Sequence, residues 1–141
     1  MKSVLDASVA ACWVLRNPLM PKALRLRDEY QRQIHELIAP AHFPPEVANG
    51  LTKAERQKII PAGDAYLLIR DILNTPPVLH AIDPLFDRAV AISSQTRSAF
   101  YDCLYVALAE REACELITAD MQLVNNLRGQ FPFVISLASL P

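Results

Sequence analysis

The chain contains little that would staple it together or anchor it in a membrane. Its three cysteines, Cys12, Cys103 and Cys114, form no C-x-x-C pair and are odd in number, which argues against a disulfide framework or a zinc site and for buried, reduced thiols. No apolar run approaches the length needed to span a bilayer. Val9 to Leu15 is far too short, and Asp6 interrupts anything resembling a secretory h-region, so a cytoplasmic protein is expected. Three glycines and eleven prolines are scattered between segments, and there is no Gly/Ser linker, low-complexity tract or repeat. Nor does either charge dominate: 14 basic against 15 acidic side chains leave a net charge of −1, so bulk electrostatics make no case for a nucleic-acid binder. RNA stays open nonetheless. Four acids gathered in one metal site would leave 14 basic against 11 acidic residues elsewhere, and bound cations would offset the cluster.

What is present is a globular composition, 52% apolar and 21% charged over 141 residues, which suits a single domain spanning 1–141. Strand-like runs near residues 2–5, 37–39, 78–82, 115–118 and 133–136 alternate with helical periodicity over Ser8 to Arg16, Lys22 to Leu37, Glu46 to Lys58, Pro61 to Leu73, Leu85 to Gln95, Ala99 to Ala113 and Met121 to Leu127. Pro44 and Pro45 suit the opening turn of one helix, Asp83-Pro84 reads as a cap, and Ser98 reads as the cap of the helix that follows. The interior of that helix, Cys103 to Ala109, is apolar all round and is expected to be central and buried. Strands alternating with helices imply a three-layer α/β/α fold with a mainly parallel five-stranded sheet, whose ligands bind beyond the carboxyl ends of the strands.

Three acids sit where an acid is awkward without a task. Asp6 ends the run Val4-Leu5, Asp120 ends Leu116-Ile117-Thr118-Ala119, and Asp102 lies in the most apolar helix. A buried carboxylate is costly unless it is paired or binds a metal, and no lysine or arginine lies within one helical turn of Asp6 or Asp102. Each has an ordinary alternative: Asp6 and Asp120 suit N-caps, Asp102 suits a dipole contact in a first turn, and Glu46 is an unremarkable first-turn glutamate. The functional argument rests on their joint placement.

The four segments together resemble a PIN-domain ribonuclease, particularly the VapC-like toxins of bacterial toxin–antitoxin pairs. The resemblance is carried by Val-Leu-Asp6-Ala-Ser8, by Pro40 followed by Glu46-Val-Ala-Asn49-Gly-Leu51, by Tyr101-Asp102-Cys-Leu-Tyr105-Val-Ala-Leu-Ala-Glu110, and by Leu-Ile-Thr118-Ala-Asp120. It implies that Asp6, Glu46, Asp102 and Asp120 form an acidic quartet holding Mg²⁺ or Mn²⁺, three of them close enough to share an ion, with Ser8, Asn49 and Thr118 in support. It also implies an RNA substrate, a homodimer and a small antitoxin partner. One departure stands out: Pro44-Pro45 places Glu46 at the very start of its helix, where about a turn of helix is expected before it.

The chemistry gives such a quartet a reason. Phosphodiester hydrolysis needs an activated water and compensation of charge on phosphoryl oxygens, and hard cations held by carboxylates supply both. Lys53, Arg56 and Lys58 follow Glu46 on one helix and are candidates for phosphate contacts, with a solvated helix face as the alternative. His35, His42 and His80 have no metal-ligand spacing and are assigned no role, while Trp13 and Tyr105 read as core. Two rival functions remain. A phosphohydrolase of haloacid-dehalogenase type needs a second acid two residues after the first, where this chain has Ser8. A non-catalytic PIN-like RNA- or protein-binding module would keep the fold and lose the acids, and all four are present.

Overall fold

Short runs of leucine and β-branched residues become strands, most of them covered on both faces by the longer helical segments, while the edge strand Val78–His80 stays largely exposed. The computed structural model describes residues 1–141. Strands β1 (Lys2–Leu5), β2 (Glu36–Pro40), β3 (Val78–His80), β4 (Glu115–Thr118) and β5 (Val134–Ser136) form one sheet in the order β3-β2-β1-β4-β5. All four pairings are parallel. The helices are α1 (Ala7–Val14), α2 (Met20–Gln31), α3 (Phe43–Arg56), α4 (Asp64–Leu73), α5 (Phe86–Thr96), α6 (Phe100–Glu112) and α7 (Met121–Leu127). Helices α1 to α4 pack on one another as one group and α5 packs on α6 as another, giving the three-layer α/β/α arrangement. None is long and apolar enough to cross a membrane.

The strand order reverses at β1. From there the chain builds outward through β2 and β3, then returns to place β4 on the other side of β1. In an open parallel sheet the crevice outside the carboxyl ends at such a reversal is the ordinary ligand site. The residues that leave β1 and β4 at that edge are Asp6 and, after Thr118, Ala119 and Asp120.

Several helix boundaries differ from the expectation, each for a local reason. Helix α2 ends at Gln31 rather than Leu37, because Gln33 takes a left-handed φ of 61° and turns the chain into β2. Helix α3 begins at Phe43 and holds both prolines in its first turn, where no backbone donor is needed; the Glu46 amide then bonds to the His42 carbonyl four residues back, at 3.1 Å. Glu46 therefore does have helix before it. Helix α6 starts after Ala99, not Ser98, and no side chain caps it, so Asp102 lies in its first turn rather than deep inside. Asp83 caps nothing: Asp83–Leu85 is a short 3₁₀ turn running into α5, and β3 stops at His80. Gly63, at φ 92°, supplies the left-handed residue before α4.

A cluster of 33 buried hydrophobic residues fills the interior. Its centre is α6, where every residue from Cys103 to Ala109 is buried. Leu104→Ala should therefore cost about 2–5 kcal/mol; urea unfolding checks this, and a loss under 1 kcal/mol would mean that the helix is less central than described.

Candidate active site

Asp6 follows the last residue of the central strand and occupies the N-cap position of α1, yet its carboxylate does not cap that helix. It is buried, and Oδ2 instead accepts hydrogen bonds from Ser8 Oγ at 2.5 Å and Thr118 Oγ1 at 2.7 Å. The two hydroxyls are themselves held by the next turn of chain, since Ala119 N–H donates to Ser8 Oγ at 3.0 Å and Asp120 N–H to Thr118 Oγ1 at 3.1 Å. This small lattice ties the carboxyl ends of β1 and β4 together. Ser8 and Thr118, the two supporting candidates from the sequence, both touch Asp6.

Asp120 does what an N-cap does: its Oδ1 accepts from the amides of Gln122 at 3.0 Å and Leu123 at 3.3 Å. Glu46 approaches from α3, and its Oε1 accepts from Tyr105 Oη at 2.7 Å, with His42 Nε2 3.4 Å away. Asp102 makes no hydrogen bond. A common pattern emerges, because Asp6, Glu46 and Asp120 are each anchored through a single oxygen, leaving the other free of side-chain or backbone donors.

The electrostatics show that the four share one space. Burial is the main cause raising the carboxyl pKa of Asp6, and Asp120 adds to it. Burial raises Asp102 to about 6, with contributions from Asp6 and Asp120. Burial likewise raises Glu46 to about 7; the Tyr105 hydroxyl opposes this, while Asp6 and Asp102 reinforce it. No lysine or arginine forms an ion pair with any of the four. His42 offers no charge either, since burial lowers its pKa and favours the neutral ring.

The quartet is gathered but not clenched: no three of these acids stand close enough together to hold one ion. This differs from the expectation that three of the four would lie close enough to share an ion. Asp102 and Asp120 face each other across a polar cleft of about 200 Å³ that Ser98, Gln122, Leu123 and Asn126 complete. Ser98 Oγ is buried without a partner. A roomier cavity of about 380 Å³ lies at the opposite, amino-terminal edge of the sheet, among Met1, His35 and Glu115, far from the acids. The donor set suits a hard divalent cation: oxygen ligands, excess negative charge, and one free oxygen on each anchored carboxylate.

Other candidates lie farther out. Asn49 is exposed and its side chain bonds to none of the four acids. Lys53 and Arg56 are exposed on α3 without ion-pair partners, whereas Lys58 stands beyond the helix in a left-handed turn at φ 61°. Two residues given no functional role from sequence belong to the site, His42 and Tyr105. Their spacing carried the signal: His42 precedes Glu46 by four residues and Tyr105 follows Asp102 by three, each pair on one helix face.

The PIN domain family model matches residues 3–126. The chain belongs to the PIN-domain family. Ribonuclease VapC12 of Mycobacterium tuberculosis is 34% identical over 124 residues, covering 87% of this chain and 90% of that protein. Among solved structures, PAE2754 from Pyrobaculum aerophilum superposes with a TM-score of 0.72 at 20% identity, covering 99% of this chain and 85% of that one. VapBC2 from Rickettsia felis, bound to a DNA fragment from its promoter, gives a TM-score of 0.64 at 11% identity over 96% and 97% of the two chains. These two share the fold of this PIN domain.

The raised carboxyl pKa values set a pH dependence. A carboxyl group that holds its proton more tightly in the folded state stabilises the fold below its unfolded pKa, and that stabilisation is lost as pH rises through the folded value. For Asp102 and Glu46 the loss runs from about 4 up to about 6 and about 7 respectively. His35 and His42, whose pKa values burial lowers, act in the opposite direction, so the carboxyl contribution is read against a Glu46→Gln variant that shares both histidines. Relative to that variant the metal-free PIN domain should lose about 2–5 °C of melting temperature between pH 5 and pH 7.5; scanning calorimetry in EDTA decides it, and parallel pH profiles for the two proteins would contradict the electrostatic description.

Proposed function

We propose that this PIN domain is a Mg²⁺- or Mn²⁺-dependent endoribonuclease that hydrolyses RNA phosphodiester bonds, acting as the toxin of a toxin–antitoxin pair. The observation that carries the reading is the set of four carboxylates at the reversal point of the sheet with no cationic side chain to balance them. A structural network would pair such charges, because burying them uncompensated is costly. Asp6, Asp102 and Asp120 would have to draw closer together than they stand here to hold one cation, with Glu46 assisting. When bound, a cation of this kind supplies activation of water and neutralises charge on phosphoryl oxygens.

The chain's own residues prepare that chemistry. Ser8 and Thr118 fix the rotation of the Asp6 carboxylate by donating to one oxygen, which leaves the other without a hydrogen-bond donor. Asp120 is fixed in the same way by the amides of α7. Glu46, with a pKa of about 7, exchanges its proton near neutrality and is suited to general acid or base work, and Tyr105 orients it. A haloacid-dehalogenase mechanism has no acid where it needs one, since the side chain at that position is the Ser8 hydroxyl bonded to Asp6.

The partners follow from the same reading. The ribonuclease relative supports RNA as substrate. Exposed Lys53 and Arg56 are suited to backbone phosphates. The Rickettsia felis VapBC2 complex supports an antitoxin partner. Ile59, Tyr66 and Leu67, each about two-thirds exposed around the turn between α3 and α4, offer an apolar face for an antitoxin or for a second copy in a homodimer.

Asp6→Asn and Asp102→Asn should each lower RNA cleavage in Mg²⁺ by at least about a hundredfold while leaving the melting temperature unchanged or raised, since each variant relieves like-charge repulsion. Cleavage of total RNA beside a thermal melt tests both points. Near-parental cleavage in either variant, or undiminished activity of the parent in excess EDTA, would refute a metal-dependent nuclease.

A further inference from the structure

The acid cleft has no paired cation to draw in a polyanion, so part of its grip on RNA must come from contacts that do not depend on charge. Tyr101 is placed to make one. It immediately precedes Asp102 in the first turn of α6, and it is 58% exposed. Its ring lies at a shallow 33° over the buried imidazole of His42, centroids 5.3 Å apart, and Phe100 meets it edge-on at 5.7 Å. His42 is rigid in turn: Nε2 bonds to the Tyr101 carbonyl oxygen at 3.1 Å, and Tyr105 packs against its edge at 4.8 Å. Phe100 is steadied by Phe86 at 5.2 Å. An aromatic ring held on one side by a buried imidazole, and open to solvent beside reactive carboxylates, is pre-organised at little cost in side-chain entropy.

We propose that Tyr101 is a stacking platform for a single-stranded nucleobase next to the scissile phosphodiester, and so a specificity-determining residue of the cleavage proposed above, on which reading it rests. The same His42 joins the platform to the site, since it touches both Tyr101 and Glu46. A base seated on Tyr101 therefore belongs to a nucleotide whose phosphate reaches the acids. Base-on-aromatic stacking tolerates any base, with a preference for the larger ring systems. The platform favours unpaired loops or ends over duplex RNA, in which bases are already stacked within the helix.

The test uses the whole protein with single-stranded oligoribonucleotides. Tyr101→Leu should raise KM roughly tenfold with kcat little changed and should flatten base preference at one position flanking the cut, while Tyr101→Phe and Tyr101→Trp keep parental values. Independently of activity, Tyr101→Trp placed in the inactive Asp6→Asn background should show emission quenched by RNA. The native Trp13 is buried and serves as a constant background. An unchanged KM in Tyr101→Leu beside a fully active parent would overturn the platform while leaving the nuclease reading intact. A Tyr101→Leu protein altered only in oligomeric state would also overturn it, showing that a second copy covers this face. Absence of metal-dependent cleavage by the parent would remove both proposals together.

Discussion

The structure turns on one unfavourable arrangement, a carboxylate buried at the end of the central strand with only hydroxyl groups for company. Asp6 takes hydrogen bonds from Ser8 and Thr118, which partly offset its burial, but it has no cation. Around it stand three further acids whose pKa values are raised or whose charge raises those of the others. A fold selected only for stability would replace this cluster with apolar residues or add an arginine. The rest of the molecule compensates: a single core, with an all-round buried α6 at its centre, holds the acids at the reversal of the sheet despite their repulsion.

How the acids are held bears on what they do. Asp6, Glu46 and Asp120 are each tethered by one oxygen, to hydroxyls of β1–α1 and β4, to a tyrosine of α6 and to amides of α7 respectively. Such tethers fix direction without using up ligating capacity, the usual role of groups that stand behind the ligands of a metal site. Asp120 shows that a cap and a site residue need not be alternatives. One oxygen closes the helix, the other has no donor, and the residue lines the cleft with Asp102. Tyr105 links the buried core directly to the site, so the packing of α6 and the orientation of Glu46 are one structural problem.

Much of this was legible in the sequence because strands end sharply. The runs Val4-Leu5-Asp6 and Leu116-Ile117-Thr118-Ala119-Asp120 declare both the strand and the acid that leaves it, and parallel topology brings the two ends side by side. Helix starts were less legible. Ser98 has the chemistry of a cap but is turned inward, its hydroxyl buried without a partner, so α6 begins one residue later and Asp102 moves into the first turn. Pro44-Pro45 read as the opening of α3, whereas prolines are tolerated throughout a first turn and Phe43 already belongs to the helix. His42 and Tyr105 were obscured for different reasons: Tyr105 lies in an apolar helix and read as core, and His42 has no metal-ligand spacing, so neither showed that its polar atom faces Glu46.

The central claim is that the unbalanced carboxylates exist to hold a divalent cation. Crystals of the PIN domain soaked in Mn²⁺ and measured at a wavelength where manganese scatters anomalously test it most directly. The account predicts an anomalous peak at about 2 Å from carboxylate oxygens of Asp6 and Asp102, with Asp120 and Glu46 drawn inward relative to the metal-free arrangement. No peak in this cleft at saturating Mn²⁺, or a peak only elsewhere on the surface, would contradict it.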